Sequence, residues 1–527
     1  MTVPTDTVWG TDLVPVEVGG RTYRVYADRP HRLGSLLDFA ERWNDRAHIV
    51  QGERVVTFAQ MHQAVAARSG ELRAAGVGPG DHVVLLGWNS PEWIVNFWAT
   101  VAVGGVAVLA NAWWSEEELA DILLRVSPAL VVADERGARR LPGLWPTLPW
   151  VPALPVGEEP AKHIPDPGTD ENAAAAIIFT SGTSGTPKAA MLSHRSLLAG
   201  LQMLLHITRR LPHQVDLSTG EAALHTGPMF HVGGVQTLLR AVCVGDTLVM
   251  PSGRFDPGEA LRLIEEWGIR RWSAVPTMVS RVLEHPDTRT RDLTTLRSLT
   301  VGGAPVRAEF LERVRTGLPG VEPRIATGYG LTENGGQAVA ASGADTVARP
   351  GTTGRALPCV DVMIAPSTEF TDGEILLRSP TQMSHYLGNT ESPIDEGGWL
   401  HTGDLGRLDE DGYLWITGRS KDMIIRGGEN IAPAAVEGAL VALPEVDDAV
   451  VFGLPHPDLG EEVVAAVVLA EEADPAALGA QLRDRVASFS VPSRWVARSE
   501  SFPVNHAGKV DRNAVIADAR ARIEEGA

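Results

Sequence analysis

The sequence predicts an α/β protein: a large N-terminal domain of parallel sheets covered by helices, with a β-rich subdomain, and a small α+β C-terminal domain. Three textures carry the prediction. Short apolar runs alternate with helical patterns from about residue 35 to 310, the β-α-β-α rhythm of parallel sheets. From Gly354 to Trp415, strand-like segments follow one another through turns, which implies a more antiparallel unit. After GRSKDMIIRGGENI the pattern changes again. That places a boundary near Gly418–Lys421 and divides the chain into 1–420 and 421–527.

In chain order, VEVGGRTYRVYAD (Val16–Asp28) reads as a hairpin ahead of the alternating region; packing or a contact in a homodimer would account for it. HVVLLG (His82–Gly87) reads as a strand, and Pro91, pre-set for a first helical turn, opens a helix. The stretch Ile94 to Trp114 looks most like a membrane segment, yet it holds Asn96 and the pair Gly104–Gly105. A helix, a glycine break and a buried strand explain it better than a span of ~20 apolar residues. Ser115 and Glu118 form a capping box, each satisfying the other's free amide, and start a helix to about Val126. ALVVAD follows as a strand. Beyond the boundary, Val436–Leu443 reads as a short helix and AVVFGLPHPDLGEEVVAAVVLAEE as strand and turn. Ala476–Ser488 reads as helical, and DARARIEEGA as a fraying helix.

Composition bounds the partners. The chain has 527 residues, 44% apolar and 21% charged, with a net charge of −20. That balance argues against nucleic acid, whose phosphates need a basic face, but leaves room for a local small-anion site. Cys243 and Cys359 are too few for a disulfide framework or a thiolate zinc site, and read as buried small hydrophobes in a reducing cytoplasm. The N-terminus MTVPTDTVWGTDLVPVEV lacks the basic start and apolar core of a signal peptide. A cytoplasmic protein, not integral to a membrane, is expected.

The chemistry starts at FTSGTSGTPKAAMLSH (Phe179–His194), where an apolar run feeds a loop of glycines, hydroxyls and a lysine. Such a loop can aim backbone N–H groups and hydroxyls at an anion. The P-loop pattern fails, because Lys188 follows Pro187 and precedes Ala189. Four further stretches stand in order behind it: GGAP (Gly302–Pro305), TGYGLTEN (Thr327–Asn334), GGWLHTGDLGRLDEDGYLWITGRSKD (Gly397–Asp422) and FPVNHAGKVDR (Phe502–Arg512). Together the five resemble the adenylate-forming (AMP-binding) superfamily of acyl-CoA and aryl-CoA synthetases, peptide-synthetase adenylation domains and beetle luciferases, over about residues 35 to 515. The resemblance implies a large N-terminal domain and a mobile C-terminal one. It also implies two steps: a carboxylate attacks the α-phosphate of ATP to give acyl-AMP and pyrophosphate, then a thiol takes the acyl group and releases AMP.

Carried over by residue, the resemblance implies that Thr180, Ser181, Gly182, Thr183, Ser184, Gly185 and Lys188 hold the β- and γ-phosphates, where the leaving pyrophosphate gathers charge that donors must meet. Tyr329, flanked by Gly328 and Gly330, would stack on adenine against a wall of Gly302, Gly303 and Ala304. Thr332 would contact phosphate, and Glu333 would ligate Mg²⁺, a hard cation that takes one or two carboxylates beside phosphates and water. Asp404 would accept the ribose hydroxyls, with Arg419 as a second ribose contact. Lys509 would bridge the incoming carboxylate and the α-phosphate, neutralising two anions that must meet. Lys421 holds the hinge position. The loop after it, RGGENIAP, would serve the thiol step, Gly427 and Gly428 letting the pantetheine arm of coenzyme A pass close to the backbone.

PMFHVGG (Pro228–Gly234) bears on the acid. His231 stands there without a carboxylate to pair an amino acid's ammonium, and a buried unpaired ammonium is costly. His231 would sit near the substrate carboxylate and the mouth of the thiol tunnel. The pocket expected from His231–Gln236, Val301–Ala304, Thr327–Gly328 and Asn334–Gln337 is small-residued and has no Arg or Lys for a second carboxylate. With Gly233–Gly234 able to open a long pocket, a medium- or long-chain fatty acid is the expected substrate. An aryl acid, or transfer to a free-standing carrier protein, is the alternative. A nucleotide-binding protein without turnover is disfavoured by the intact Lys188, Glu333, Asp404 and Lys509. Four positions depart from the family pattern, Ala189, Ala435, Ser490 and Ala507, and none removes a catalytic group.

Overall fold

The computed structural model of the chain describes every residue except 1–8, 142, 144, 151–167, 169, 181–186, 217–219, 304, 305, 307, 322, 323, 367–371, 389, 390, 428, 471–474, 484, 506, 507, 526 and 527. Two large sheets form its body. One has seven strands, in the spatial order His385–Tyr386, Lys188–Ser193, Ala174–Thr180, Val106–Ala110, His82–Leu86, Leu130–Ala133 and Thr147–Pro149. Its five strands from Ala174–Thr180 onward are parallel, and the first two are antiparallel. The other has nine strands around a parallel centre of Ile325–Leu331, Ser298–Val301, Arg271–Ala274, Ala222–His225, Thr247–Met250 and Ala47–Gln51. Runs such as VAVLA are buried at every residue, as strands covered on both faces must be.

The membrane-like stretch resolves as the helix Pro91–Ala102, a turn and the strand Val106–Ala110. The helix is apolar all round because it packs against strands of both sheets inside one shared core. Its one buried amide is satisfied: Arg68 Nε donates to Asn96 Oδ1 at 2.7 Å, and Asn96 Nδ2 donates to the Glu92 carbonyl at 2.8 Å. Among the described residues no helix is long and apolar enough to cross a membrane. The expected capping box at Ser115 and Glu118 is present and starts Glu116–Val126.

The region after Gly354 contains an antiparallel sheet of Asp361–Ala365, Gly373–Arg378, Leu400–Leu408 and Leu414–Arg419. The N-terminal hairpin starts earlier than its sequence indicated, at Leu13, and turns through Gly19 and Gly20, both at positive φ. Arg24 ties it to Asp361 at 2.6 Å, and Tyr26 hydrogen-bonds His206 at 3.0 Å. The last sheet uses only residues after Asp422: Glu429–Ile431, Ile424–Arg426, Gly460–Leu469 and Val446–His456, with Arg494–Arg498 beside Gly460–Leu469. The helix expected over Ala476–Ser488 is shorter, Pro475–Leu482; a turn at Ser488–Ser490 leads to Pro492, before which helix is disfavoured. The terminal helix, Arg512–Glu525, is held by buried Val515 and Ala519 and by Arg498 on Asp518. Cys243 and Cys359 are buried thiols, each pushed up in pKa chiefly by burial.

Candidate active site

Parallel sheets present their working loops at the carboxyl ends of the strands. Those loops follow Ala174–Thr180, Ala222–His225, Arg271–Ala274, Ser298–Val301 and Ile325–Leu331. Of the residues singled out in the sequence, Ser181, Gly182, Thr183, Ser184, Gly185, Ala304 and Gly428 lie outside the described residues. Most of the others fall into three groups.

The first centres on Asp404, only 5% exposed. Strands Leu400–Leu408 and Leu414–Arg419 put Asp404 opposite Arg419, and Arg419 Nε donates to Asp404 Oδ1 at 2.7 Å. The Tyr329 hydroxyl donates to Oδ2 at 2.6 Å. Burial, and then the adjacent carboxylate, raise the Tyr329 pKa well above its usual value, so the phenol stays a donor. Thr402, not anticipated from sequence, accepts from the Asp404 amide at 3.1 Å.

The second group holds Lys188, Tyr386 and Glu333. Lys188 pairs with Thr180 across the two strands that flank the hydroxyl-rich loop, and its Nζ lies 5.1 Å from the centre of the Tyr386 ring. The Tyr386 hydroxyl donates to Glu333 Oε1 at 2.7 Å. Thr332 and Glu333 sit in a tight turn, Thr332–Asn334, whose Glu333 carbonyl accepts from the Met383 amide at 2.8 Å. Among the described residues no group of three or more His, Cys, Asp or Glu comes together as a metal site. One carboxylate, with phosphate oxygens and water completing the shell, is the donor set Mg²⁺ uses on a nucleotide.

The third is Lys509, partly buried, whose amide donates to the Asn505 side-chain oxygen. Gly303, at φ +78, leaves space for it: a Cβ there would lie 3.1 Å from Lys509 Cε and 3.4 Å from Nζ. Desolvation, and then Arg419, lower the Lys509 pKa. Desolvation, Arg419 and Lys188 lower that of Lys421, while Asp422 and Asp404 oppose them, so Lys421 lies in the field of both the first group and Lys188.

The glycines divide by cause. At Gly302 a Cβ would meet only the Gly328 carbonyl, at 3.9 Å, which leaves an open wall. Gly328 and Gly330 are fixed by packing, since a Cβ would reach Gln337 Nε2 at 2.2 Å or the Gly336 carbonyl at 2.1 Å on the partner strand. Gly234 packs against its own turn, where a Cβ would lie 2.6 Å from the Pro228 carbonyl, whereas a Cβ at Gly233 would face open space. The Gly233–Gly234 pair is therefore weaker support for a long pocket than it looked. Gly427, at φ +60, donates its amide to the Leu459 carbonyl at 2.7 Å.

His231 immediately precedes the helix Val232–Val244, and a line of rings leads away from it. Phe230 lies 4.8 Å from His231, Trp113 lies 5.5 Å from Phe230, and Trp88 lies 4.5 Å from Trp113, centre to centre. Asn89 joins the loops that carry Trp88 and Phe230, accepting from the Met229 amide and donating to the Gly227 carbonyl. Tyr386 and the two tryptophans were not legible as site residues. None of them stands in a spacing or motif that sets it apart from a core aromatic.

Comparison with known proteins bears directly on this geometry. The family model described as AMP-binding enzyme matches residues 36–387, and that of the AMP-binding enzyme C-terminal domain matches residues 435–509. The chain is 34% identical over 503 residues to a feruloyl-CoA synthase of an Amycolatopsis species, covering 92% of this chain and 99% of that one. It is 33% identical to the fatty acid–[acyl-carrier-protein] ligase ScoC of Streptomyces coeruleorubidus, over 87% of this chain and 91% of that one. Among solved structures, o-succinylbenzoate CoA synthetase of Bacillus subtilis with its acyl-adenylate intermediate superposes with a TM-score of 0.77 at 26% identity, covering 91% and 96% of the two chains. The same enzyme has been solved with ATP and a magnesium ion.

Proposed function

The chain belongs to the AMP-binding enzyme family, as an AMP-forming acid–thiol ligase, and on that premise we propose that it joins a ring-bearing carboxylic acid to coenzyme A through an acyl-AMP. The observation that carries the reading is the proximity of the Asp404 group to Lys188 and Tyr386–Glu333 on one side and to the partly buried Lys509 on the other.

In this reading Asp404, aimed by Tyr329 and Arg419, accepts the ribose hydroxyls, and adenine lies between the Tyr329 ring and the open wall at Gly302. Lys188 and Thr332 hold the phosphates beyond the α position. Glu333, oriented by Tyr386, would hold Mg²⁺, which when bound offsets phosphate charge. One oxygen of the acid attacks the α-phosphorus, and the bond from phosphorus to the oxygen bridging to the β-phosphate breaks as pyrophosphate leaves. Lys509 sits where its ammonium neutralises both anions. The thiolate of coenzyme A then attacks the acyl carbon, the bond to the AMP oxygen breaks, and AMP leaves. Residues 421–527 are the domain that moves between these steps, with Lys421 at the hinge and Gly427 beside the incoming arm.

The sequence alone favours a fatty acid. Two things favour a ring instead. Ferulate and o-succinylbenzoate are the acids named for two of the relatives above. The rings of Phe230, Trp113 and Trp88 form an edge-to-face aromatic cluster next to His231, and an added ring packed stacked or edge-on gains about 0.5–1.5 kcal/mol beyond burial. Similarity to ScoC supports a second reading, a fatty acid passed to a carrier protein. Pyrophosphate release and thioester formation with hydroxycinnamic, benzoic, indolic and C8–C16 fatty acids, with coenzyme A or a carrier protein, separate the two. Higher kcat/KM for a ring acid with coenzyme A is expected; preference for a fatty acid with the carrier would replace this reading by the second.

A further inference from the structure

We propose that Thr277, flanked by Val275 and Met278, is the seat that holds the Lys509 turn in its adenylating position. The inference rests on the role given to Lys509 above.

The turn is closed on itself. Asp511 donates its amide to the Pro503 carbonyl at 2.8 Å, Asn505 to the Lys509 carbonyl at 2.7 Å, and Gly508 to the Asn505 carbonyl at 2.9 Å. The Asn505 side-chain oxygen accepts from the Lys509 amide at 3.1 Å. Val504 and Val510 face each other as an isolated bridge. What the turn offers outward is the Gly508 carbonyl, and the Thr277 hydroxyl donates to it. Gly508 stands at φ +75, and a Cβ there would lie 2.9 Å from Met278 Cε and 3.2 Å from Val275 Cγ2. The backbone of the turn thus lies directly on Val275 and the first turn of helix Pro276–Glu284, just after strand Arg271–Ala274.

The seat is itself braced. Met278 Sδ accepts from Thr226 Oγ1 at 3.4 Å, and Thr226 accepts from Trp272 Nε1 at 3.1 Å. Thr226 lies on the loop that leads to His231, so the floor under Lys509 is continuous with the acid side of the site. A seat made of one neutral hydrogen bond and two apolar contacts is strong enough to bias a position and weak enough to release it. Thr277 is a positioning residue acting through Lys509.

The full chain with Thr277→Val, Thr277→Ala or Thr277→Ser is assayed in two steps, using an acid the unaltered chain accepts. Acyl-AMP formation is read as pyrophosphate release without coenzyme A, and thioester formation is read from supplied acyl-AMP. Val and Ala should slow the first step about three- to tenfold, the range of one hydrogen bond, leave the second unchanged or faster, and Ser should restore the first. A purely structural role would slow both steps together. Lys509→Ala runs alongside. If Lys509→Ala splits the two steps and Thr277→Val does not, the seat is wrong. If Lys509→Ala slows both equally, the role of Lys509 is wrong and the seat falls with it.

Discussion

Gly303→Ala and Gly302→Ala separate two jobs of one loop. Gly303 stands at φ +78, where a residue with a Cβ costs about 1–2 kcal/mol. Its methyl would also lie 3.1 Å from Lys509 Cε, so the lysine tip must retreat. The backbone cost acts throughout the cycle, whereas the displacement of Lys509 acts only while that lysine is in place. At Gly302 the backbone needs no positive φ, and the nearest atom is 3.9 Å away. Gly303→Ala should therefore slow acyl-AMP formation about 10- to 100-fold, roughly 1.4–2.8 kcal/mol, and slow thioester formation from supplied acyl-AMP much less. Gly302→Ala should raise KM for ATP, because its methyl enters the space given to adenine, with kcat little changed. Pyrophosphate release and thioester absorbance follow the two steps separately. If the two variants behave alike, or if Gly303→Ala slows both steps by the same factor, the placement of Lys509 against this loop is not what the reaction uses.

Lys509→Ala should lower acyl-AMP formation about 100- to 1000-fold, the scale of losing one preorganised charge-stabilising donor, and spare the thioester step. The lowered Lys509 pKa sets a direction: the ammonium is needed charged, so kcat/KM for adenylation should fall at an alkaline pH below the usual lysine value of 10.5. The supplied-adenylate step should lack that limb, and a shared limb would contradict the assignment. Tyr386→Phe keeps the ring under Lys188 but frees Glu333, and should raise the Mg²⁺ needed for half-maximal adenylation about 10- to 100-fold, as loss of a ligand's orienting partner does; an unchanged requirement would remove Glu333 from the metal's donors. Burial pulls His48, His194 and His225 to about 4 from an ordinary 6.5, so the unfolded chain takes up protons first as pH falls. Their stabilisation is full above pH 6.5 and drains away towards pH 4, by up to about 3 kcal/mol per histidine. Denaturant midpoints between pH 7.5 and 5 check this, and a flat profile would refute it.

The sequence reads well where chemistry and spacing are local. Ser115 with Glu118 and the strands His82–Leu86 and Val106–Ala110 follow from neighbours in the chain. It reads poorly where the partner is distant. Tyr386 meets Glu333 across 53 positions, and Thr277 meets Gly508 across 231, with no pattern at either end to announce the contact. Gly328 and Gly330 show a different failure. They belong to a motif that implies nucleotide contact, yet the partner strand already excludes any side chain there. Glu437, kept where Ala435 departs from the family pattern, is used inside the small sheet's own body, accepting from the Val451 amide and from Arg512.

The central claim is that the acid is carried through an acyl-AMP. It is tested by running the reaction with a ring acid labelled with ¹⁸O in its carboxylate and weighing the products. Attack on the α-phosphorus, followed by thiolysis at the acyl carbon, leaves one labelled oxygen on AMP and none on pyrophosphate. Label in inorganic phosphate with release of ADP, or unlabelled AMP beside a formed thioester, would contradict it.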